Sequence, residues 1–140
     1  MEELQVEQWY LLVDEVTTAK IYEELPPLHE DDAALSNFIQ VLKYEAADMQ
    51  TLLQRLGVDN RKPFQFSALP VENNTKMLYT GMFYVQGAVM MGDFDAWDVV
   101  LDMFCLSLTA DFSDMPRQMG DMVIEISFEA VMPWILTESM

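Results

Sequence analysis

The chain has 140 residues, of which 51% are hydrophobic, and its 24 acidic and seven basic residues give a formal net charge of −17. This length suits one domain, and the hydrophobic content excludes a disordered acidic tail. The charge argues against direct nucleic-acid binding, which needs Lys and Arg at the phosphates, and against attraction to an anionic membrane surface. We therefore expect a single acidic domain over residues 1–140 that binds a basic protein; the alternative is that the acidity serves only solubility or a salty habitat.

The first predicted element is an amphipathic helix over residues 3–25. Apolar residues recur at helical spacing from Trp9 to Val16, and Pro26 ends the pattern. Two glutamates near the C-terminal end oppose the helix dipole there. This end of the helix is therefore expected either to fray or to meet a positive group.

The second predicted helix, over residues 33–56, has the clearest pattern in the chain. Its apolar residues include a strict seven-residue series: Leu35, Leu42, Met49 and Leu56. Asp31 or Asp32 can cap its N-terminus, and Gly57 can end it in the left-handed conformation. The series favours a buried core position. The alternative is a self-association seam, which would make the protein a homodimer.

Two further helices are predicted over residues 75–91 and 94–108. The first is apolar on nearly all sides, with Asn73 or Asn74 as its cap, and is expected to be the central element. The second has a regular apolar stripe, with Asp93 as its cap. In the connection before them, residues 64–67 can form a short extended segment and nothing longer.

The last segment, over residues 115–132, fits two structures. A helix would place its apolar residues on one side, whereas a strand would show alternating apolar and polar residues near 122–131. The preceding predicted helices favour a fifth helix, ended by Pro133. The sequence therefore predicts an all-α fold, a compact bundle of about five helices. An α+β fold with a C-terminal strand near 122–131 is the alternative.

Acidic residues dominate the second half of the chain. Residues 77–140 contain ten acidic residues and one basic residue. If residues 94–108 and 115–132 are helical, two rows of three carboxylates form, within about 60° and about 80° of helix surface. Contact with water explains why these helix faces would be polar. It does not explain why all of their charged residues are acidic, because a mixture of Lys and Glu would be equally well solvated and more stable. The predicted partner-binding residues are Asp95, Asp98, Asp102, Asp121, Glu125 and Glu129.

Catalytic and metal chemistry have little support in the sequence. The only histidine, His29, lies in a linker, and no Glu-x-x-His pair is present, so we predict no metal site. Cys105 has no basic neighbour in sequence and is predicted to be a buried structural thiol. Phosphate-binding loops and dinucleotide-binding motifs are absent. We therefore predict that the protein is not an enzyme and binds no cofactor.

Two functions from different classes fit these features. The first is an acidic inhibitor that mimics nucleic acid and occupies the basic groove of a nucleic-acid-binding protein, as phage anti-restriction and anti-CRISPR proteins and immunity proteins do. The second is a small assembly or secretion chaperone, in which a surface rich in the twelve methionines shields an apolar client segment. The absence of a signal peptide or membrane span in the sequence, together with the lone cysteine, predicts a cytoplasmic protein.

Overall fold

A computed structural model shows an antiparallel sheet with helices packed against one face. It describes residues 1–29, 32–109, 119–120 and 122–140. The described residues form seven strands and three helices. In chain order these are β1 (Glu2–Val6), β2 (Trp9–Val13), α1 (Glu15–Glu24), α2 (Ala33–Glu45), α3 (Ala47–Leu56), β3 (Phe64–Val71), β4 (Lys76–Met91), β5 (Val99–Leu101), β6 (Phe104–Thr109) and β7 (Val123–Pro133).

The sheet is organised around β4, which is 16 residues long. The strands follow the order β1-β2-β4-β7-β6-β5, and β3 pairs with the first part of β4. One edge of β4 therefore carries β3 and then β2, while its other edge pairs with β7. The side-chain amide of Gln8, in the β1–β2 turn, donates to the carbonyl oxygen of Asp98 at 2.8 Å. Because Asp98 directly precedes β5, this bond joins the two ends of a curled sheet.

The predicted all-α bundle of about five helices is wrong. Residues predicted to begin the first helix form the β1–β2 hairpin. The helix predicted over residues 75–91 is β4 from Lys76 onward, and the one predicted over residues 94–108 is replaced by β5 and β6. Residues 122–131 lie largely in β7, so the helical interpretation of this segment is wrong, and its alternating pattern is that of a strand. The earlier part of the predicted last helix, at 115–118, lies outside the described residues.

The pattern of β4 explains why it resembles a helix. Residues 77–89 are buried or half-buried on both faces of the sheet, so apolar residues follow one another without alternation. The expected cap for this helix is instead a turn between β3 and β4. Glu72, Asn73 and Asn74 have φ angles of 51, 57 and 62°, in the left-handed region that Asn tolerates. The extended segment predicted at residues 64–67 is the first half of β3, which continues to Val71. The prediction that this segment is no longer than that is therefore wrong.

The helical region predicted over residues 33–56 is confirmed with one break, because Ala46 separates α2 from α3. Asp32 caps α2 by accepting a 2.9 Å bond from the Leu35 amide, and Gly57 ends α3 with a φ of 82°. The four residues of the seven-residue series are buried within the chain and form no exposed seam. None of the helices in the described ranges has the length and apolar character required to cross a membrane.

The core of the protein centres on Phe38 of α2, which has no exposed surface. Its ring centroid lies 5.3–6.0 Å from those of four other aromatic residues: Phe66, Tyr79, Phe104 and Phe128. These four residues come from β3, β4, β6 and β7. One side chain therefore joins the helical layer to four strands.

Helix α1 fills a gap along the edge of β4. The pairing with β3 ends at Met82, and the pairing with β2 begins at Gly87. Between them, the Tyr22 hydroxyl donates to the carbonyl oxygen of Tyr84 at 2.8 Å and accepts from its amide at 3.0 Å. The Thr18 hydroxyl accepts from the Gln86 amide at 2.9 Å. Two side chains one helical turn apart thus make the hydrogen bonds that a neighbouring strand would make.

The C-terminal end of α1 meets a positive group. The ammonium of Lys62 donates to the carbonyl oxygens of Tyr22 and Leu25, at 2.7 Å each. Tyr22 is in the last turn of α1 and Leu25 is its C-cap residue, where the negative end of the helix dipole favours a cation. This end of the helix was expected either to fray or to meet a positive group, and it meets the ammonium of Lys62.

Candidate protein-binding surface

Three of the predicted partner-binding residues lie in one stretch of irregular chain and tight turn. Asp95 and Asp98 are in the connection between β4 and β5, and Asp102 is in the two-residue turn between β5 and β6. All three are exposed, as is Asp93, which precedes them and was predicted only as a helix cap. The expected helical spacing is wrong, but all three carboxylates are exposed within the ten residues from Asp93 to Asp102.

The other three predicted residues differ in their surroundings. Glu129 lies on the outer face of β7 and is exposed. Glu125 is only 1% exposed, and the hydroxyl of Tyr84, directly opposite in β4, donates to its Oε1 at 2.7 Å. Asp121 lies outside the described residues. The predicted second row of carboxylates therefore contributes Glu129 to the described surface, while Glu125 lies within the fold.

Hydrogen bonds to three different elements hold the stretch from Asp93 to Asp102 in place. The Asp95 amide donates to the carbonyl oxygen of Leu108 at 2.7 Å, and the Asp98 carbonyl accepts from Gln8 at 2.8 Å. The carboxylate of Asp102 accepts from the Met49 amide in the first turn of α3 at 2.9 Å. These carboxylates are thus attached to a fixed frame.

Asp102 also stabilises α3, since the N-cap residue Ala46 has no side-chain acceptor. We expect Asp102→Ala to lower the free energy of unfolding by about 1 kcal/mol, because the Met49 amide loses its acceptor. Asp102→Asn should cost less, because an amide oxygen can still accept this bond. Urea denaturation followed by circular dichroism measures both, with Asp98→Ala as the control. Equal stabilities of the Asp102→Ala and Asp98→Ala variants would contradict the capping role.

Two stretches of the chain, joined by the Gln8–Asp98 hydrogen bond, carry carboxylates and no cations of their own, although Arg55 of α3 lines a concavity together with Glu7. Residues 1–13 and 77–109 contain seven acidic residues and no Lys or Arg. These seven exposed residues define the acidic face: Glu2, Glu3, Glu7, Asp93, Asp95, Asp98 and Asp102. In the part of the chain that the structure describes, the only ion pair is Lys76–Glu72, at 3.3 Å beside the β3–β4 turn. The charge of the acidic face is therefore not neutralised by ion pairs within the described residues.

An apolar cleft of about 650 Å³ lies on the outer face of the sheet beside the acidic face. Tyr10 pairs with Met91 while Leu11 pairs with Val89, so Met90 is an extra residue in a β-bulge. Tyr10, Met90 and Met91 line the cleft and are 45%, 65% and 59% exposed. The prediction of a methionine-rich surface did not include Tyr10, because residues 3–25 were interpreted as one helix.

A second concavity, of about 270 Å³, lies beside Trp97 on the outer face of the sheet. Trp97 and Glu129 both line it, and Thr80 lies directly opposite Glu129 in the β4–β7 pairing. The Cys105 thiol donates to the carbonyl oxygen of Trp97 at 3.5 Å, which holds the indole segment against β6. Trp97 was predicted in the buried stripe of a helix, but it is 40% exposed.

The predicted linker around His29 makes structural contacts. The Nε2 atom of His29 lies 2.6 Å from the carbonyl oxygen of Pro63, and Asp32 caps α2. Glu30 and Asp31 lie outside the described residues. Across the described ranges, no three His, Cys, Asp or Glu side chains converge in a way that could hold a metal ion. Cys105 is half-buried rather than fully enclosed.

The chain was compared with known proteins in three ways. Protein-family models, curated protein sequences and solved structures contain no match to this chain. Its function is therefore inferred from the charge, shape and hydrogen bonding of the acidic face and its two neighbouring concavities.

Proposed function

We propose that this protein is a non-enzymatic binding domain whose acidic face occupies a basic, nucleic-acid-binding surface of another protein. The observation that carries the proposal is the set of seven exposed carboxylates in two joined stretches of the chain, residues 1–13 and 77–109, that contain no Lys or Arg. The domain would act as an inhibitor, because a partner covered in this way cannot bind nucleic acid.

The physical basis is a fixed arrangement of negative charge. The stretch from Asp93 to Asp102 is attached to β6, to the β1–β2 turn and to α3 by hydrogen bonds. A backbone held in this way loses little conformational entropy on binding, and the carboxylates that it carries can present charge to a cationic groove as phosphates do. Opposite charges also speed association, and salt weakens this effect. The cytoplasm is the compartment that we propose, because a lone thiol such as Cys105 stays reduced there.

The test uses a triple variant, Asp93→Asn, Asp95→Asn and Asp98→Asn, which keeps Asp102 and its cap on α3. Wild-type protein is used to capture its partner from an extract of the source organism, and the captured protein is then titrated in increasing salt. We expect the triple variant to bind about tenfold or more weakly. We also expect the wild type, but not the variant, to displace labelled nucleic acid from the partner.

The matched control removes three charges elsewhere, in α1, by Glu15→Gln, Glu23→Gln and Glu24→Gln. All three glutamates are exposed, and none belongs to the acidic face. This control should bind as the wild type does. Partner binding that depends neither on the three aspartates nor on salt would overturn the proposal.

A second candidate function, the chaperone, is favoured by the cleft lined by Tyr10, Met90 and Met91. Methionine side chains adapt to varied apolar groups, which suits a surface that shields a client segment. In that case the acidic face would only keep the complex in solution. Binding that survives high salt, with a negative heat-capacity change, would support the chaperone over the inhibitor.

A further inference from the structure

We propose that the concavity beside Trp97 is a subsite for one arginine side chain of the protein partner. The inference rests on the proposed function, because it names one residue of the basic partner and the concavity on this protein that would bind it. It follows from the two kinds of group that meet there, an exposed indole and an exposed carboxylate, Glu129.

The chemistry of the lining fits a guanidinium group. A guanidinium stacks on the face of an indole, the aromatic ring that attracts cations most strongly. Its planar fork of N–H donors also matches both oxygens of a carboxylate such as that of Glu129. The Thr80 hydroxyl, opposite Glu129, is a further acceptor in the same lining. No Lys, Arg or His lines the concavity in the described part of the chain.

The size of the concavity limits its occupant. Its volume of about 270 Å³ is just below the range of about 300–1,000 Å³ that is typical of sites for small organic ligands. It therefore suits one side chain better than a cofactor. Two exposed aspartates of the acidic face, Asp95 and Asp98, lie within two residues of Trp97 in sequence and add negative charge to the same stretch of chain.

Trp97 is held in an unfavourable backbone conformation. Its φ angle is 50°, in the left-handed region that bulky residues rarely adopt. Such strain costs about 1 to 3 kcal/mol and persists only where the surrounding structure imposes it. Here the carbonyl of Trp97 binds the Cys105 thiol, and Cys105 pairs with Glu129 across β6 and β7. The backbone that carries the indole is thus held beside β6 before any partner binds, and the indole shares its concavity with the Glu129 carboxylate.

The test compares fluorescein-labelled octa-arginine and octa-lysine as probes, with fluorescence anisotropy at low salt. The wild type should bind octa-arginine several times more tightly, because an ammonium lacks the planar fork. Trp97→Leu should weaken octa-arginine binding about fivefold to tenfold and change octa-lysine binding much less. Trp97→Phe, which keeps a ring, should lie between them, and Glu129→Gln should also reduce the preference for arginine.

The control is Tyr44→Leu, which removes an exposed aromatic side chain from α2 and should leave both affinities unchanged. In ¹⁵N-labelled wild-type protein, the Trp97 Nε1–H resonance should shift as octa-arginine is added. If the wild type, Trp97→Leu and Glu129→Gln bind octa-arginine equally while the triple aspartate variant loses both probes, the arginine subsite is wrong and the proposed function stands. Failure of the wild type to bind either probe would overturn both.

Discussion

Phe38→Ala is expected to lower the free energy of unfolding by about 3 to 5 kcal/mol, the range for removing a large aromatic side chain from a core. The ring contacts aromatic residues of four strands, so its loss opens a cavity between α2 and the sheet. The rings around it come from different strands and cannot all move inward without breaking the β pairing. The structure can therefore relax only partly around this cavity.

Urea denaturation followed by circular dichroism measures this change, and Phe94→Ala is the matched control. Phe94 is also a phenylalanine, but it is exposed, so its removal should change stability by about 0.5 kcal/mol or less. A cost for Phe38→Ala that is no larger than that for Phe94→Ala would show that Phe38 is not the centre of the core.

Tyr22→Phe is expected to cost about 2 to 3 kcal/mol, although it removes a single oxygen atom. Burial raises the pKa of Tyr22, so the hydroxyl keeps its proton and can both donate to and accept from the backbone of Tyr84. Phenylalanine keeps the packing but loses both hydrogen bonds. Because Tyr84 belongs to β4, the change acts on the central part of the sheet.

Denaturation and amide hydrogen exchange together test this prediction. Exchange at the Tyr84 amide should become faster in Tyr22→Phe, and exchange at the Gln86 amide should become faster in Thr18→Val. Tyr44→Phe removes the hydroxyl of an exposed tyrosine and should leave stability unchanged. Unchanged stability and unchanged Tyr84 exchange in Tyr22→Phe would mean that α1 does not replace a strand at this edge.

Local signals predict the helical part of this fold well. Asp32 and Gly57 cap the two ends of the region that contains α2 and α3, as expected, and the seven-residue series is buried as expected for a core. These features depend on interactions between residues close in sequence, which caps and spacing record directly. The break at Ala46 has no comparable signal, because α3 receives its N-terminal acceptor from Asp102, in a distant hairpin.

The sheet is harder to predict because its pattern depends on which faces are covered. In β4 both faces are apolar, so alternation is lost and the pattern also fits a helix. Two local signals favour the strand: the consecutive asparagines of the β3–β4 turn and the aromatic and β-branched residues of β4 itself. The glycine at position 87 is also explained by the sheet, because a Cβ there would overlap the carbonyl oxygen of Leu12 in the neighbouring strand β2.

The candidate site was predicted in its chemistry more than in its geometry. Asp95, Asp98 and Asp102 are all exposed within one short stretch, but the β4–β5 connection and the β5–β6 turn, and not a helix, arrange them. Glu125 is buried although its neighbours in sequence give no sign of it, because its burial depends on pairing with Tyr84 of β4. The joining of the β1–β2 hairpin to this stretch, through Gln8 and Asp98, is likewise a long-range contact.

The position of β7 has a consequence for how the chain is made. It is the last strand in the sequence, yet it lies between β4 and β6 in the middle of the sheet. During synthesis on a ribosome, β4 and β6 emerge first and must wait for residues 123–133 before either gains its shared neighbour. The nascent chain therefore holds two incomplete parts of a sheet until residues 123–133 have emerged, and β4 and β6 are joined only when β7 inserts between them.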